Sequence, residues 1–203
     1  MGVRHDSAAD AQHQGDPRPV GRGRLGARPG RARPDRLGQP GRLPQAAQGR
    51  AVSAAARLDE LGLTLPAVPA PAGAYVPALR QGDLVYTSGQ LPLVDGALPV
   101  TGKVGGAVDP ERAKAAARTC ALNAIAAAAE AAGGLDNIVR VVKVTGFVAS
   151  EPSFTGQPGV INGASELLGE VFGDAGRHAR SAVGVAVLPM DSPVEVELVV
   201  AVR

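Results

Sequence analysis

The stretch 109-DPERAKAAARTCALNAIAAAAEAAGG-134 restricts the fold more than any other part of the chain. Asp109 is an N-cap residue, Pro110 suits the first helical position and Glu111 lies in the first turn, where the helix dipole favours an anion. Gly133-Gly134 is a stop signal. Between them, Ala113, Ala117, Cys120, Ala121, Ala124 and Ala128 recur at helical spacing. An apolar face built almost wholly of methyl groups suits a helix lying very close to a sheet, so the partner must be looked for among β-branched segments.

Those segments follow a simple order. 74-AYVPALR-80 and 84-LVYTSGQ-90 flank Gln81-Gly82-Asp83 and read as a hairpin. Asp95-Gly96 is a further turn. After the alanine-faced helix come 138-IVRVVKVTGFV-148, a second helix from about Pro158 to its Gly173 stop, and then 181-SAVGVAVL-188 and 193-PVEVELVVAV-202 around a short Met190-Asp191-Ser192 turn. The expected fold class is α+β: a mixed sheet with both long helices on one face. The other face has no cover from the same chain, which predicts an oligomer. A short helix capped by Ser53, with Ala56, Leu58 and Leu61 as a narrow apolar stripe, and a Pro-rich connector occupy 52–72; the main domain is 73–203.

Charge separates a tail from this domain. Residues 1–50 carry ten Arg against four Asp, while 51–203 carry eleven basic and fifteen acidic residues. Residues 1–51 have no aromatics and are rich in Arg, Gly and Pro, so they are expected to be a disordered tail. Neither an RNA-binding arm, which would interleave aromatics for stacking, nor an amphipathic transit helix fits them well, and a misplaced start codon near Val52 is an alternative source. The acidic remainder disfavours nucleic acid as a partner. One cysteine, Cys120, no apolar run of membrane-spanning length and no signal-type h-region point to a soluble, cytoplasmic protein.

The candidate site residues are charged groups on strands. Alternation sets Arg180, Ala182, Gly184 and Ala186 on one face of their strand and Ser181, Val183, Val185 and Val187 on the other. The valines are expected against the helices, leaving a guanidinium above a floor of small residues. On the last strand Glu195 and Glu197 oppose Val194, Val196 and Leu198. If these two strands form a hairpin about Met190-Asp191, Arg180 and Glu195 lie roughly 20 Å apart. A joint site then requires two subunits. Read from pattern alone, an Arg at a strand start is usually a surface ion-pair residue, the glutamates are more often a solvated face, and Tyr75 and Tyr86 are ordinary strand residues. Cys120 reads as core.

Three segments together, 73-GAYVPALRQGDLVYTSGQLPL-93, 180-RSAVGVAVLP-189 and 194-VEVELVVAV-202, resemble the RidA family, the YjgF-type reactive-intermediate deaminases. The resemblance implies a chorismate-mutase-like fold, a homotrimeric barrel with clefts between subunits, and cofactor-free, metal-free hydrolysis of small enamines and 2-imino acids to 2-keto acids and ammonia. It implies Arg180 as the carboxylate clamp, Glu195 as the group holding water, and Tyr75, Ser88, Gly89 and Asn162 as substrate-binding residues. Ala182 and Gly184 stand where many members have cysteine and a larger residue, so a wider cleft is expected. Extra residues near Gly156-Gln157-Pro158 mark a divergent subgroup. A non-catalytic trimer that binds a small carboxylate, and a ribonuclease or translation inhibitor, are the competing readings; only the deaminase needs Glu195.

Overall fold

A computed structural model describes residues 53–68 and 73–203; the tail at 1–51 and part of the Pro-rich connector lie outside the described residues. The elements in order are α1 (Ala54–Glu60), β1 (Ala78–Gln81), β2 (Leu84–Thr87), α2 (Pro110–Ala132), β3 (Ile138–Ala149), α3 (Gln157–Phe172), β4 (Ala179–Val185) and β5 (Val194–Val202). The local signals work as expected. The Asp109 side chain accepts from the Glu111 N–H, Gly133 closes α2 in the left-handed conformation, and Ser53 caps α1. Gly82, at φ 60°, makes the tight β1–β2 turn, as a hairpin with glycine first in its turn requires.

The sheet has the strand order β1-β2-β5-β3-β4. It is antiparallel except for β3 and β4, which run parallel with α3 as their crossover. This corrects the expected β4–β5 hairpin. The two strands are adjacent in sequence, but the long β3 lies between them and pairs with both. A parallel pair needs a crossover, so the short turn after β4 serves only to reverse the chain around the end of β3.

Both long helices lie on one face. The alanine stripe of α2 is fully buried with Ile125, against Val194, Val196, Leu198 and Val200 of β5 in a single core that also takes Leu167 and Leu168 of α3. Two glycines permit the close approach. A Cβ at Gly146 of β3 would fall inside the Ile161 side chain of α3, and one at Gly163 of α3 would strike the Lys114 backbone carbonyl of α2. Outside this contact, Lys114–Glu166 at 2.8 Å and Arg118–Glu170 at 2.6 Å join the two helices at the surface. α1 packs behind α3 through Leu58, while Leu61 of the expected stripe is exposed.

The opposite sheet face carries Leu79, Tyr86, Val199, Phe147 and Val183 with the two glutamates of β5. No element covers it among the described residues. Leu79, Tyr86 and Val183 are exposed.

Gly163→Ala is expected to lower the unfolding free energy by about 3 kcal/mol, because helix backbone, not a flexible side chain, blocks the added methyl group. Gly169→Ala, on the open side of the same helix with nothing within 4 Å of a Cβ, is expected to raise it by about 1 kcal/mol through helix propensity. Urea titration of both variants checks the pair; a loss at both positions would contradict this account of α3.

Candidate functional site

Glu195 sits where β2 leaves its regular pairing. Tyr86 pairs with Val199, and Gln90 bonds both ways with Val196, so residues 87–89 face only 197–198 across the ladder. The extra residue is a bulge. The Thr87 hydroxyl fills the gap by accepting the Leu198 N–H at 2.9 Å. The bulge brings Gly89 directly beside Glu195: any Cβ at position 89 would overlap the Glu195 carboxylate. A side chain at 89 would push the Glu195 carboxylate out of this position. Burial, and secondarily the charge of Glu197, push the Glu195 carboxyl above its ordinary value.

Glu195, Gly89 and Tyr75 line one cavity of about 690 Å³. Tyr75 is not a strand residue, as alternation suggested; it precedes β1 in a bend and is 54 % exposed. Ser88 does not line the cavity. Its hydroxyl donates to the Val76 carbonyl at 2.7 Å and its N–H to that of Pro77 at 2.8 Å, which holds the Tyr75 segment beside the bulge. Asn123 of α2 went unnoticed in the sequence. Its amide donates to the carbonyls of Leu91 and Leu93 at 2.9 and 3.1 Å, so the alanine-faced helix also pins the cavity wall.

Arg180 belongs to a second cluster and faces the other way from the expectation. Its Nη1 donates to Asn162 Oδ1 at 2.8 Å and Ser165 Oγ at 3.0 Å, both on α3. The Arg180 face of β4 is thus the helix-covered face, with Ala182 packed against the core, while Val183 and Val187 are exposed. α3 lies close over this part of the sheet, as the Gly146–Ile161 contact shows; the small Ala182 packs beneath it while Arg180 reaches to Asn162 and Ser165, and the valines take the uncovered side. Gly184 does not open a cleft either. A Cβ there would come within 2.8 Å of Gln157 Nε2, and Gln157 is held in place by bonds to the Phe154 carbonyl at 2.7 Å and Ser150 Oγ at 3.3 Å. The Gln157 side chain at the start of α3 fills the volume that the glycine leaves.

The Arg180 cluster has a direction. His178 Nδ1 lies 2.6 Å from the Gly176 carbonyl and must donate to it. In the neutral ring Nε2 then accepts from Ser165 Oγ at 3.1 Å, which frees the hydroxyl oxygen for Arg180. Neither Ser165 nor His178 was singled out from sequence, since only the fold brings them to the guanidinium. With Nη1 so anchored, Nε and Nη2 make no hydrogen bond among the described residues. Those two atoms form the edge that grips a carboxylate with two bonds.

The clusters do not meet within one chain. Glu195 pairs with Phe147, and Phe147 with Val183, so Glu195 and Arg180 are about 14 Å apart along the sheet, on opposite faces. The separation stands although the hairpin that suggested it does not. Cys120 is fully buried on α2, and burial pushes its thiol well up. Among the described residues no three His, Cys, Asp or Glu side chains group closely enough to hold a metal ion, and no helix is long and apolar enough to cross a membrane.

Residues 55–202 match the family model described as YjgF/chorismate mutase-like, putative endoribonuclease. Protein TCP17 of Trypanosoma cruzi is 48% identical over 147 residues, covering 72% of this chain and 92% of that protein. The crystal structure of Atu1372 from Agrobacterium tumefaciens, a protein of unknown function, is 49% identical with a TM-score of 0.68 and covers 72% of this chain and 91% of that one. E. coli TdcF, solved with bound serine, is 29% identical with a TM-score of 0.50 and covers 67% and 93%. The parallel β3–β4 edge, the two helices on one face and the bulge beneath Glu195 are thus the form taken here by a shared fold: the chain belongs to the YjgF/chorismate mutase-like family.

Proposed function

We propose that the protein hydrolyses reactive enamines and 2-imino acids to 2-keto acids and ammonia, at clefts formed between copies of the chain in a homotrimer. The observation that carries this reading is the state of Glu195: a half-buried carboxylate, raised above its ordinary value, set in a cavity beside a glycine that makes room for it. A protein that only binds a small carboxylate has no use for a second acid at that place. The free edge of Arg180 supports the same reading, as does the serine bound to the related TdcF, which is itself a small amino-acid carboxylate.

Assembly supplies what one chain lacks. Packing the uncovered sheet faces of three copies against one another buries Leu79, Tyr86 and Val183 and carries the edge strand β4 of one copy toward the β2–β5 end of the next. Arg180 of one chain then holds the substrate carboxylate while Glu195 of its neighbour faces the imine carbon. Water adds to that carbon as Glu195 takes one of its protons and passes it to the imine nitrogen; the carbinolamine then gives its hydroxyl proton, again through Glu195, to the amino nitrogen, and the C–N bond breaks to release ammonia as the carbonyl forms. Positioning and charge complementarity provide most of the acceleration. Tyr75 closes one wall of the cleft, and Ser88 and Asn162 hold the two clusters in place.

The ribonuclease reading has less support. His178 is the one histidine among the described residues, and both its ring nitrogens are engaged structurally. Residues 51–203 have an excess of acid over base.

The test couples an amino-acid oxidase, which forms 2-iminopropionate in place, to semicarbazide trapping of the imine that remains. Wild type is expected to drain the imine. Arg180→Ala should lose roughly 30-fold or more in kcat/KM, and Glu195→Gln roughly 100-fold in kcat. If wild type drains nothing yet binds pyruvate through Arg180, the protein is a carboxylate binder and the deaminase reading falls.

Acid pH provides a separate check. Glu195 works as a base only when ionised, and its carboxyl is raised. Activity should therefore fall as pH drops through a value above that of an ordinary glutamate, and this limb should be missing from the residual activity of Glu195→Gln. A limb that persists in the variant would assign the titration to another group.

A further inference from the structure

The cavity beside Glu195 is far larger than an imino acid derived from alanine requires. At about 690 Å³ it falls in the range that takes much larger ligands. Its polar lining groups include Glu195, Gln90, Asp95 and Asn123, the last turned to the Leu91 and Leu93 carbonyls. The remaining wall is dominated by apolar groups: Ala67 and Val68 of the connector after α1, Leu91 and Leu93 held in place by Asn123, and Met190. All five come from the same chain as Glu195, so this end of the cavity does not depend on a second copy for its character.

Met190 is the unusual member. It has φ 57° and ψ 21°, and Asp191 after it has φ 57°. Two successive non-glycine residues in the left-handed region are strained. The turn is nonetheless closed by bonds from the Asp191 and Ser192 N–H groups to the Leu188 and Pro189 carbonyls, and the Asp191 carbonyl accepts from Gly102 at 2.8 Å. These contacts hold an unbranched thioether, 62 % exposed, at the cavity lip. Nothing in the core uses that side chain. A flexible, polarizable group over an apolar chamber is suited to closing on an apolar ligand.

We propose that this chamber is a side-chain subsite, and that the ligand is a 2-imino acid, with the 2-oxo acid formed from it, bearing a large aliphatic side chain such as that of leucine. The assignment rests on the deaminase reading for its chemistry and on the chamber for its selectivity. The carboxylate end lies toward the neighbour's Arg180, the imine carbon at Glu195, and the isobutyl group between the connector and Met190. A ligand from alanine leaves the chamber to water.

The experiment compares imines formed in place from leucine and from alanine, in wild type and in Ala67→Phe, which narrows the chamber from an exposed connector position. Wild type is expected to favour the leucine-derived imine in kcat/KM by about 10-fold or more, and Ala67→Phe to lower that ratio about 10-fold. Equal handling of the two imines by wild type, or an unchanged ratio in the variant, overturns the chamber assignment and leaves the deaminase reading standing. Calorimetric binding of 4-methyl-2-oxopentanoate and pyruvate separates the two ideas if neither imine is consumed. Tighter binding of the larger acid by about 10-fold, lost in Ala67→Phe, keeps the chamber while the deaminase reading falls; equal binding, or none, overturns both.

Discussion

The close approach of α3 to β3 and to α2 governs most of what else this molecule can do. It depends on side chains that are missing. At Gly146 and Gly163 the space of a methyl group is taken by Ile161 and by a helix carbonyl. A helix lying that low over the sheet leaves the small Ala182 beneath it on the covered side of β4. It also brings Asn162 and Ser165 within hydrogen-bond reach of Arg180. The placement of the guanidinium is therefore a consequence of core packing, and the site inherits the rigidity of the core.

Glu195 is placed by different means. Its strand alternates regularly, buried then half-buried, from Val194 to Val202. What distinguishes it from Glu197 is the bulge in β2, which lays Gly89 beside it and turns the loop toward Asn123. Burial at that place, and secondarily the charge of Glu197 on the same face, raise the Glu195 carboxyl. Arg180 and Glu195 lie on opposite faces of one sheet, so chemistry that needs both is chemistry between copies. The uncovered apolar face offers a way for copies to associate.

Local signals carried much of the fold into the sequence. The ends of α2 could be read from Asp109, Pro110 and Gly133 because capping involves only neighbours in the chain. The hairpin at Gly82 and the alternation of β5 are equally local. The faces of β4 were not legible. Alternation separates two sets of residues without saying which lies inward, and bulk pointed to the valines, whereas the set of Arg180 and Ala182 is the one that faces α3. The β4–β5 pairing was misread for a related reason: strands close in sequence suggest a hairpin, and only the sheet as a whole shows that β3 intervenes. Family motifs pointed to Glu195, Gly89 and Arg180. Asn123, Ser165 and His178 carry no such signal, because contacts formed across the fold define their roles.

Gln157 and Gly184 share one volume. The amide occupies the space that a side chain at 184 would need, and it is tied down from both sides by Ser150 and Phe154. Changes at these two positions, far apart in the chain, are therefore one change in space. A larger residue at 184 would displace the Gln157 amide from its bonds to Ser150 and Phe154, so a strand transplanted from such a relative fits this chain best when the helix start comes with it.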